Sequence, residues 1–295
     1  MFDRPPGLIP VSPLGMQVEN VLFMLSMIAY LLATIGYLVN LSGKKEWGPF
    51  ASTILKVAFL VHTAFIVTRT INVQRPPFVG HYEFGNLFIW ATALVYIWSE
   101  WRLKDKYFAV GAFLTPLAML YFAYLTIIPS IIPAVYISRS HRPLPPVLQS
   151  DWLTIHVITS VFGYAGFTLA FAAALMWFLK EKVDSRSLLG KALPQVRLLD
   201  EYMYRAAAFG FLFQTVMIIS GAIWADISWG RYWGWDPKEM WSLITWFVFA
   251  VYLHARFTRG WTGMRTVALV SVGWFAMLFT WVGVAWLLSG IHSFG

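Results

Sequence analysis

Residues 152–179 read WLTIHVITSVFGYAGFTLAFAAALMWFL, a run without one Asp, Glu, Lys or Arg. The hydrocarbon core of a bilayer asks for about 20 consecutive apolar residues per helix. This run meets that need with room for tilt, and so predicts a membrane-spanning helix. Working outward, further stretches of the same kind lie at 17–41, 51–71, 86–101, 108–129, 206–225, 240–257 and 265–289. The one at 86–101 is short and leans on Trp98 and Trp101 as interface anchors. The expected fold is all-α: a polytopic membrane helical bundle of about eight transmembrane helices.

Composition agrees with that reading. Of 295 residues, 59% are hydrophobic and only 12% charged, and the mean hydropathy is +0.64. A soluble domain is about one quarter charged, so water-soluble and disordered chains are both excluded. No internal repeat or low-complexity segment divides the chain, and residues 1–295 read as a single integral membrane domain. Pro143, Pro145 and Pro146 mark an extended connector. The net charge of +8 is topological in such a protein and gives no reason to expect nucleic acid. The absence of cysteine excludes disulfides, thiolate metal sites and a thiol relay within the chain.

The positive residues set the orientation. Lys44, Lys45, Arg102, Lys104, Lys106, Lys180, Lys182, Arg186, Lys191, Arg197, Arg205, Arg256, Arg259 and Arg265 fall in alternate connections. The other side has far fewer: Arg4, Arg69, Arg75, Arg139, Arg142, Arg231 and Lys238. The richer side is cytoplasmic, which places both termini on the external side, with loops 72–85, 130–151 and 226–239. Met1 to Pro6 has no basic n-region or cleavable pattern and reads as a short external tail.

The external Trp-rich loop, 226–241, is the most informative segment. Trp229, Tyr232, Trp233 and Trp235 crowd together beside Asp236 and Glu239. An interfacial belt explains most membrane tryptophans, but it needs one or two rings per helix end. Four rings among small spacers suit a large, flat, apolar ligand. Asp236-Pro237-Lys238-Glu239 also has the form of a helix start, with Asp as N-cap, Pro in the first turn and Glu three residues on. Capping and a ligand-facing role are compatible.

The run Trp229-Gly230-x-x-Trp233-x-Trp235-Asp236 resembles the tryptophan-rich (WWD) signature of the haem-handling family of cytochrome c biogenesis. The continuation Pro237-Lys238-Glu239-x-Trp241-Ser242-Leu243-x-Thr245-Trp246 is similar to the CcsA (ResC) branch more than to CcmC or CcmF. Gly80-His81, Asn86-Leu87, Tyr252-Leu253-His254-Ala255-Arg256 and Gly290-Ile291-His292-Ser293 extend the likeness over most of the chain. Around His81 the chain departs from the family's usual run, with Tyr82-Glu83-Phe84-Gly85 in its place, so no family role is carried to those positions.

Imidazole is the commonest protein ligand to haem iron, and histidine inside a bilayer is costly. His156 lies one turn into its span near the external surface, and His292 follows the last apolar run on the same side. Each alone is an ordinary interface histidine. The resemblance implies that the two are the axial ligands of an external haem site and the catalytic pair. By the same resemblance His254, near the inner end of its span, ligates a second haem site inside the membrane. The other ligand there comes from a CcsB (ResB)-like membrane subunit. His62 is read as a packing or proton-bearing residue, and His81 and His141 as solvated residues of external loops.

The resemblance further implies the activity: haem b is moved to the external side and joined by thioether bonds to the Cys-x-x-Cys-His peptide of apocytochrome c, a holocytochrome c synthase (haem lyase) reaction. Trp229, Trp233 and Trp235 would flank the porphyrin, Arg231 and Lys238 are candidates for its propionates, and Asp236 and Glu239 for orienting a ligand. The membrane would be a bacterial cytoplasmic or thylakoid membrane, with the active face periplasmic or luminal. Two other readings stand beside this one: a haem exporter of the CcmC or CcmF type without synthase activity, and a b-type electron-transfer cytochrome. The latter expects paired histidines facing each other near mid-membrane. A small-molecule transporter expects inverted repeats and broken helices, which the sequence does not clearly show.

Overall fold

In the computed structural model, which describes residues 8–103, 108–131 and 137–288, every regular element is a helix. In chain order these are α1 (Pro13–Leu41), α2 (Trp47–Val73), α3 (Gly80–Leu103), α4 (Phe108–Thr126) and the short α5 (Ile128–Ile131). After a single 3-10 turn (Pro146–Leu148) come α6 (Asp151–Lys182), the short α7 (Leu188–Ala192), α8 (Val196–Trp229) and α9 (Pro237–Arg259). Finally α10 (Met264–Leu278) runs through a π-helical turn (Phe279–Gly283) into α11 (Val284–Leu287). Among the described residues, seven helical runs are long and apolar enough to cross a membrane. The long helix outside that set, α3, carries Glu83, Asn86 and Glu100 and lies among the others, packed on α2, α4 and α6. The expected all-helical membrane bundle of about eight helices is the observed fold.

Local chemistry explains the helix limits. Ser12 and Ser150 cap α1 and α6 by accepting from Gly15 N and Trp152 N. Asp236 and Glu239 form a complete capping box at the start of α9. Gly230 ends α8 with φ 70°, a left-handed turn that a residue with a Cβ resists.

The central post is α6, buried along most of its length. Helix α8 lies against it where Gly163 and Gly166 meet Gly210; a Cβ on Gly166 would come within 2.7 Å of the Gly210 Cα. Small residues let two backbones approach, which is how helices associate where lipid leaves no hydrophobic driving force between them. On its other faces α6 stacks Phe167 on Phe249 of α9 (centroids 3.6 Å apart) and Phe171 on Trp274 of α10 (3.9 Å). Helices α3 and α4 complete the ring around it, and α1 and α2 pack outside them. Leu25, Leu32, Leu60, Leu212, Phe247 and Phe275 point outward, the apolar coat of an integral membrane protein.

The two ends of the bundle are tied by buried polar groups. At the end where α1, α3, α6 and α9 begin, Arg69 is 2% exposed. Its guanidinium donates to Glu19 (2.9 Å), to Glu83 (2.8 Å) and to the backbone carbonyls of Arg139 (3.0 Å) and Ser140 (2.9 Å). Arg75 pairs with the other oxygen of Glu83 at 2.7 Å. His141, expected in a solvated loop, is instead drawn into this network, with its Nε2 2.9 Å from Glu19. The reason is that Arg69 has more donors than two carboxylates can fill, and the 139–141 backbone supplies the remaining acceptors. At the opposite end Glu100 accepts from Tyr37 (2.8 Å) and Ser52, and Arg256 pairs with Asp200.

Candidate functional site

A cavity of about 480 Å³ opens at the Arg69 end of the bundle. That is the size range of small-molecule and cofactor sites. Its walls come from the start of α3 (His81, Phe84), the first half of α6 (Leu153, His156, Tyr164), the second half of α8 (Met217, Trp224), and the loop and first turn of α9 (Trp233, Lys238, Glu239). The π turn and α11 close it with Trp281 and Trp286. Among the described residues the lining is mostly aromatic and apolar, with two imidazoles, one ammonium and one carboxylate converging on it.

His156 is placed by α8. Its Nδ1 lies 2.9 Å from the Met217 carbonyl, which can only accept, so the proton sits on Nδ1 and Nε2 is the basic nitrogen. A second partner that fixes the tautomer and the ring plane is how ligating histidines are usually held. Room for the ring comes from Gly221, where a Cβ would lie 2.6 Å from His156 Nδ1. Gly221→Ala is therefore expected to push the imidazole off Met217 and to weaken ligand binding about tenfold, with the helices intact. Titration of the ligand into the purified variant, beside its thermal melt, checks this; unchanged affinity would contradict it. His156 also lies beside Trp224, with ring centroids 6.2 Å apart.

The loop residues divide. Trp233 lines the cavity, while Trp229 stands behind it, edge-on to the lining Trp224 at 4.8 Å. Trp235 is 68% exposed and sits in the left-handed region at φ 57°. A bulky residue there is an outlier, and such outliers cluster at functional sites. Asp236 is buried as the cap of α9, its carboxylate accepting from Lys238 N at 3.0 Å. Glu239 accepts from Gly234 N (2.8 Å) and Asp236 N (3.1 Å), so the carboxylate that faces the cavity also knits the loop. Lys238 lines the cavity and Arg231 is exposed away from it.

The remaining histidines are spread widely. His292 lies outside the described residues. His254 is exposed on the outer surface of α9, near the opposite end of the bundle. His62 is fully buried, 3.2 Å from the Asn86 side chain. His81, expected to be a solvated loop residue, is a correction: it belongs to the first turn of α3 and to the cavity wall. It is held there by Trp281 and Trp286, whose rings lie 6.3 Å and 5.5 Å from it in stacked orientation. Helix α3 begins at Gly80, several residues before the apolar stretch does, which is why a hydropathy reading left His81 outside it.

Trp281 and Trp286 also went unpredicted. Five residues apart on a regular α-helix, they would point about 140° from each other. The π turn that contains Trp281 widens the helix and lets both reach one cavity.

A family model described as Cytochrome C assembly protein matches residues 78–292. The chain is 34% identical to a cytochrome c biogenesis protein CcsA from Trieres chinensis, over 90% of this chain and 93% of that one. It is 32% identical to the CcsA of Gloeobacter violaceus, over 81% and 84% of the two chains. Among solved structures it is similar to Cytochrome c Heme Lyase CcmF, with a TM-score of 0.71 over 99% of this chain and 16% identity. It spans only 49% of that larger chain, and this likeness is one of fold.

Proposed function

The chain belongs to the cytochrome c assembly family, and within it to the CcsA (ResC) group, and from that premise we propose that it binds haem b as a substrate and presents it for thioether attachment to apocytochrome c. The observation that carries this reading is His156 in the aromatic cavity. An imidazole with its basic nitrogen preset, beside flat indole rings, is suited to iron at the centre of a planar macrocycle. His292 is the proposed second axial ligand. It follows shortly after Trp286, which already stands in the cavity wall.

Two imidazoles that hold the iron also fix the orientation of the porphyrin edge, so that its vinyl groups meet an incoming peptide in one pose. Each thiol of the Cys-x-x-Cys-His motif then adds across a vinyl group. The sulfur bonds one vinyl carbon, the thiol hydrogen goes to the other, and no electrons are gained or lost overall. The motif's own histidine replaces one of the chain's imidazoles on the iron. A chain without cysteine offers no competing thiol. The exposed Trp235, two residues along from the cavity-lining Trp233, is available to the peptide.

Orientation follows from charge. Lys44, Lys45, Lys180, Lys182, Arg197, Arg256 and Arg259 crowd the end opposite the cavity, which supports a cytoplasmic placement there and a periplasmic or luminal cavity. The outward-facing His254 supports an inner haem site shared with a CcsB (ResB)-like subunit that supplies the other ligand. Co-expression of the chain and such a subunit, in a host stripped of its own cytochrome c maturation, tests the proposal. Haem should co-purify with the complex and holocytochrome c should accumulate. Membranes that yield neither would sink it, and haem without holocytochrome would reduce the function to export.

A further inference from the structure

The second imidazole of the cavity has a different hydrogen-bonding state from the first. His81 Nδ1 lies 2.9 Å from the Tyr124 hydroxyl, and the same hydroxyl lies 3.1 Å from the indole nitrogen of Trp286. An indole N–H can only donate, so the Tyr124 oxygen accepts from Trp286. The phenol has one hydrogen, and among the described residues the acceptor within reach is His81 Nδ1. The reverse assignment would ask the phenol oxygen to accept twice while its own hydrogen went unmatched in a partly buried setting, which costs free energy. The chain Trp286→Tyr124→His81 thus places the imidazole proton on Nε2. His156, whose Nδ1 donates to a carbonyl, has the opposite tautomer.

The two described histidines of the cavity wall are therefore preset for different partners. His156 offers a lone pair, which suits a metal. His81 offers an N–H, which suits an anion, and its ring lies near-parallel to the indoles of Trp281 and Trp286. Lys238 lines the same cavity and adds a positive charge.

We propose that His81 is a binding residue for a carboxylate of the porphyrin, donating from Nε2 beside Lys238, and that Tyr124 is a positioning residue that sets its tautomer. The assignment rests on the reading that the cavity takes haem. It gives the porphyrin a direction: acidic edge toward α3 and the α9 start, and the opposite, vinyl-bearing edge toward the remaining wall. Such a fixed direction is what attachment at a defined pair of vinyl carbons requires.

The test compares two probes, ferric protoporphyrin IX and its dimethyl ester, titrated into the purified complex. The free acid should bind the unaltered protein about tenfold more tightly than the ester, the size expected of a charge-assisted hydrogen bond in a shielded site. His81→Phe should lose most of the preference for the acid, Lys238 keeping the remainder, while its affinity for the ester is unchanged. His81→Gln, which keeps an N–H, should retain part of the preference. Tyr124→Phe should lower it although His81 is present. Equal losses for acid and ester in His81→Phe would make the residue a packing element and overturn the assignment. Loss of the bis-imidazole absorption bands in that variant would make it an iron ligand and overturn it as well. If the unaltered protein binds both probes equally, this assignment falls while the haem reading stands; if it binds neither, the haem reading falls first.

Discussion

His156→Ala is expected to lower haem affinity by at least about 100-fold and to abolish holocytochrome c formation, while the protein still folds. The magnitude follows from position. Removing a partner one step behind a metal ligand typically costs 10–100-fold, and here the ligand itself is removed. Folding should survive because His156 stands at the rim of α6, not at its packed middle. The stacking of Phe167 on Phe249 and the Gly166–Gly210 crossing hold that helix without it. The truncated side chain leaves a space shaped for one imidazole, bounded by Gly221 and the Met217 carbonyl. Free imidazole in the millimolar range should therefore restore much of the haem spectrum. Haem spectra of the purified complex, with and without imidazole, decide the matter. A variant that keeps its spectrum, or that loses haem and is not rescued despite an unchanged melt, would show that His156 is not the ligand.

Arg69→Met is expected to be the most damaging substitution for stability, at about 3–5 kcal/mol, the usual cost of removing one partner from a buried ion pair. The guanidinium is 2% exposed and serves two carboxylates, Glu19 and Glu83, that have little access to water. Methionine fills the volume but leaves both anions with incomplete compensation, although Arg75, Asn72 and His141 soften the loss. It also releases the 139–140 carbonyls, and with them the strand of chain that crosses this end of the bundle. The exposed Arg205–Glu201 pair is the internal control, since a surface pair is worth under about 1 kcal/mol. Thermal melts in detergent should show a large drop for Arg69→Met and almost none for Arg205→Ala. Adding Glu19→Gln and Glu83→Gln to Arg69→Met should recover part of the loss, because the stranded charges are then gone. Equal melts for the two single variants would refute the central role of this network. Glu83 is on the same turn of α3 as His81, so a weakened network should also loosen the cavity wall.

The contrast between these two sites shows how legible each part of the molecule was. The place of His156 in the cavity wall was legible, because a lone imidazole in a charge-free run stands out beside the run Trp229 to Trp246. The place of His81 in the cavity wall was not, because the neighbours around it, Tyr124, Trp281 and Trp286, are all distant in sequence. Trp235 and Trp233 look equivalent as letters, yet the left-handed turn at Trp235 exposes one while the other lines the cavity. Asp236 and Glu239 could be read as caps, and they are, but only the fold shows that Glu239 reaches the cavity as well.

The linear order of residues determined by itself that this chain is a helical membrane bundle. A bilayer imposes that outcome on any chain with such runs of apolar residues, since each backbone N–H and C=O must find its partner within the same helix. It also determined the capping of α9 and the crowding of indoles before it, since both are local. Which imidazole carries its proton on which nitrogen was decided only in three dimensions. A tautomer depends on what stands at hydrogen-bond distance, and for His81 and His156 those neighbours, Tyr124 and Met217, come from other helices.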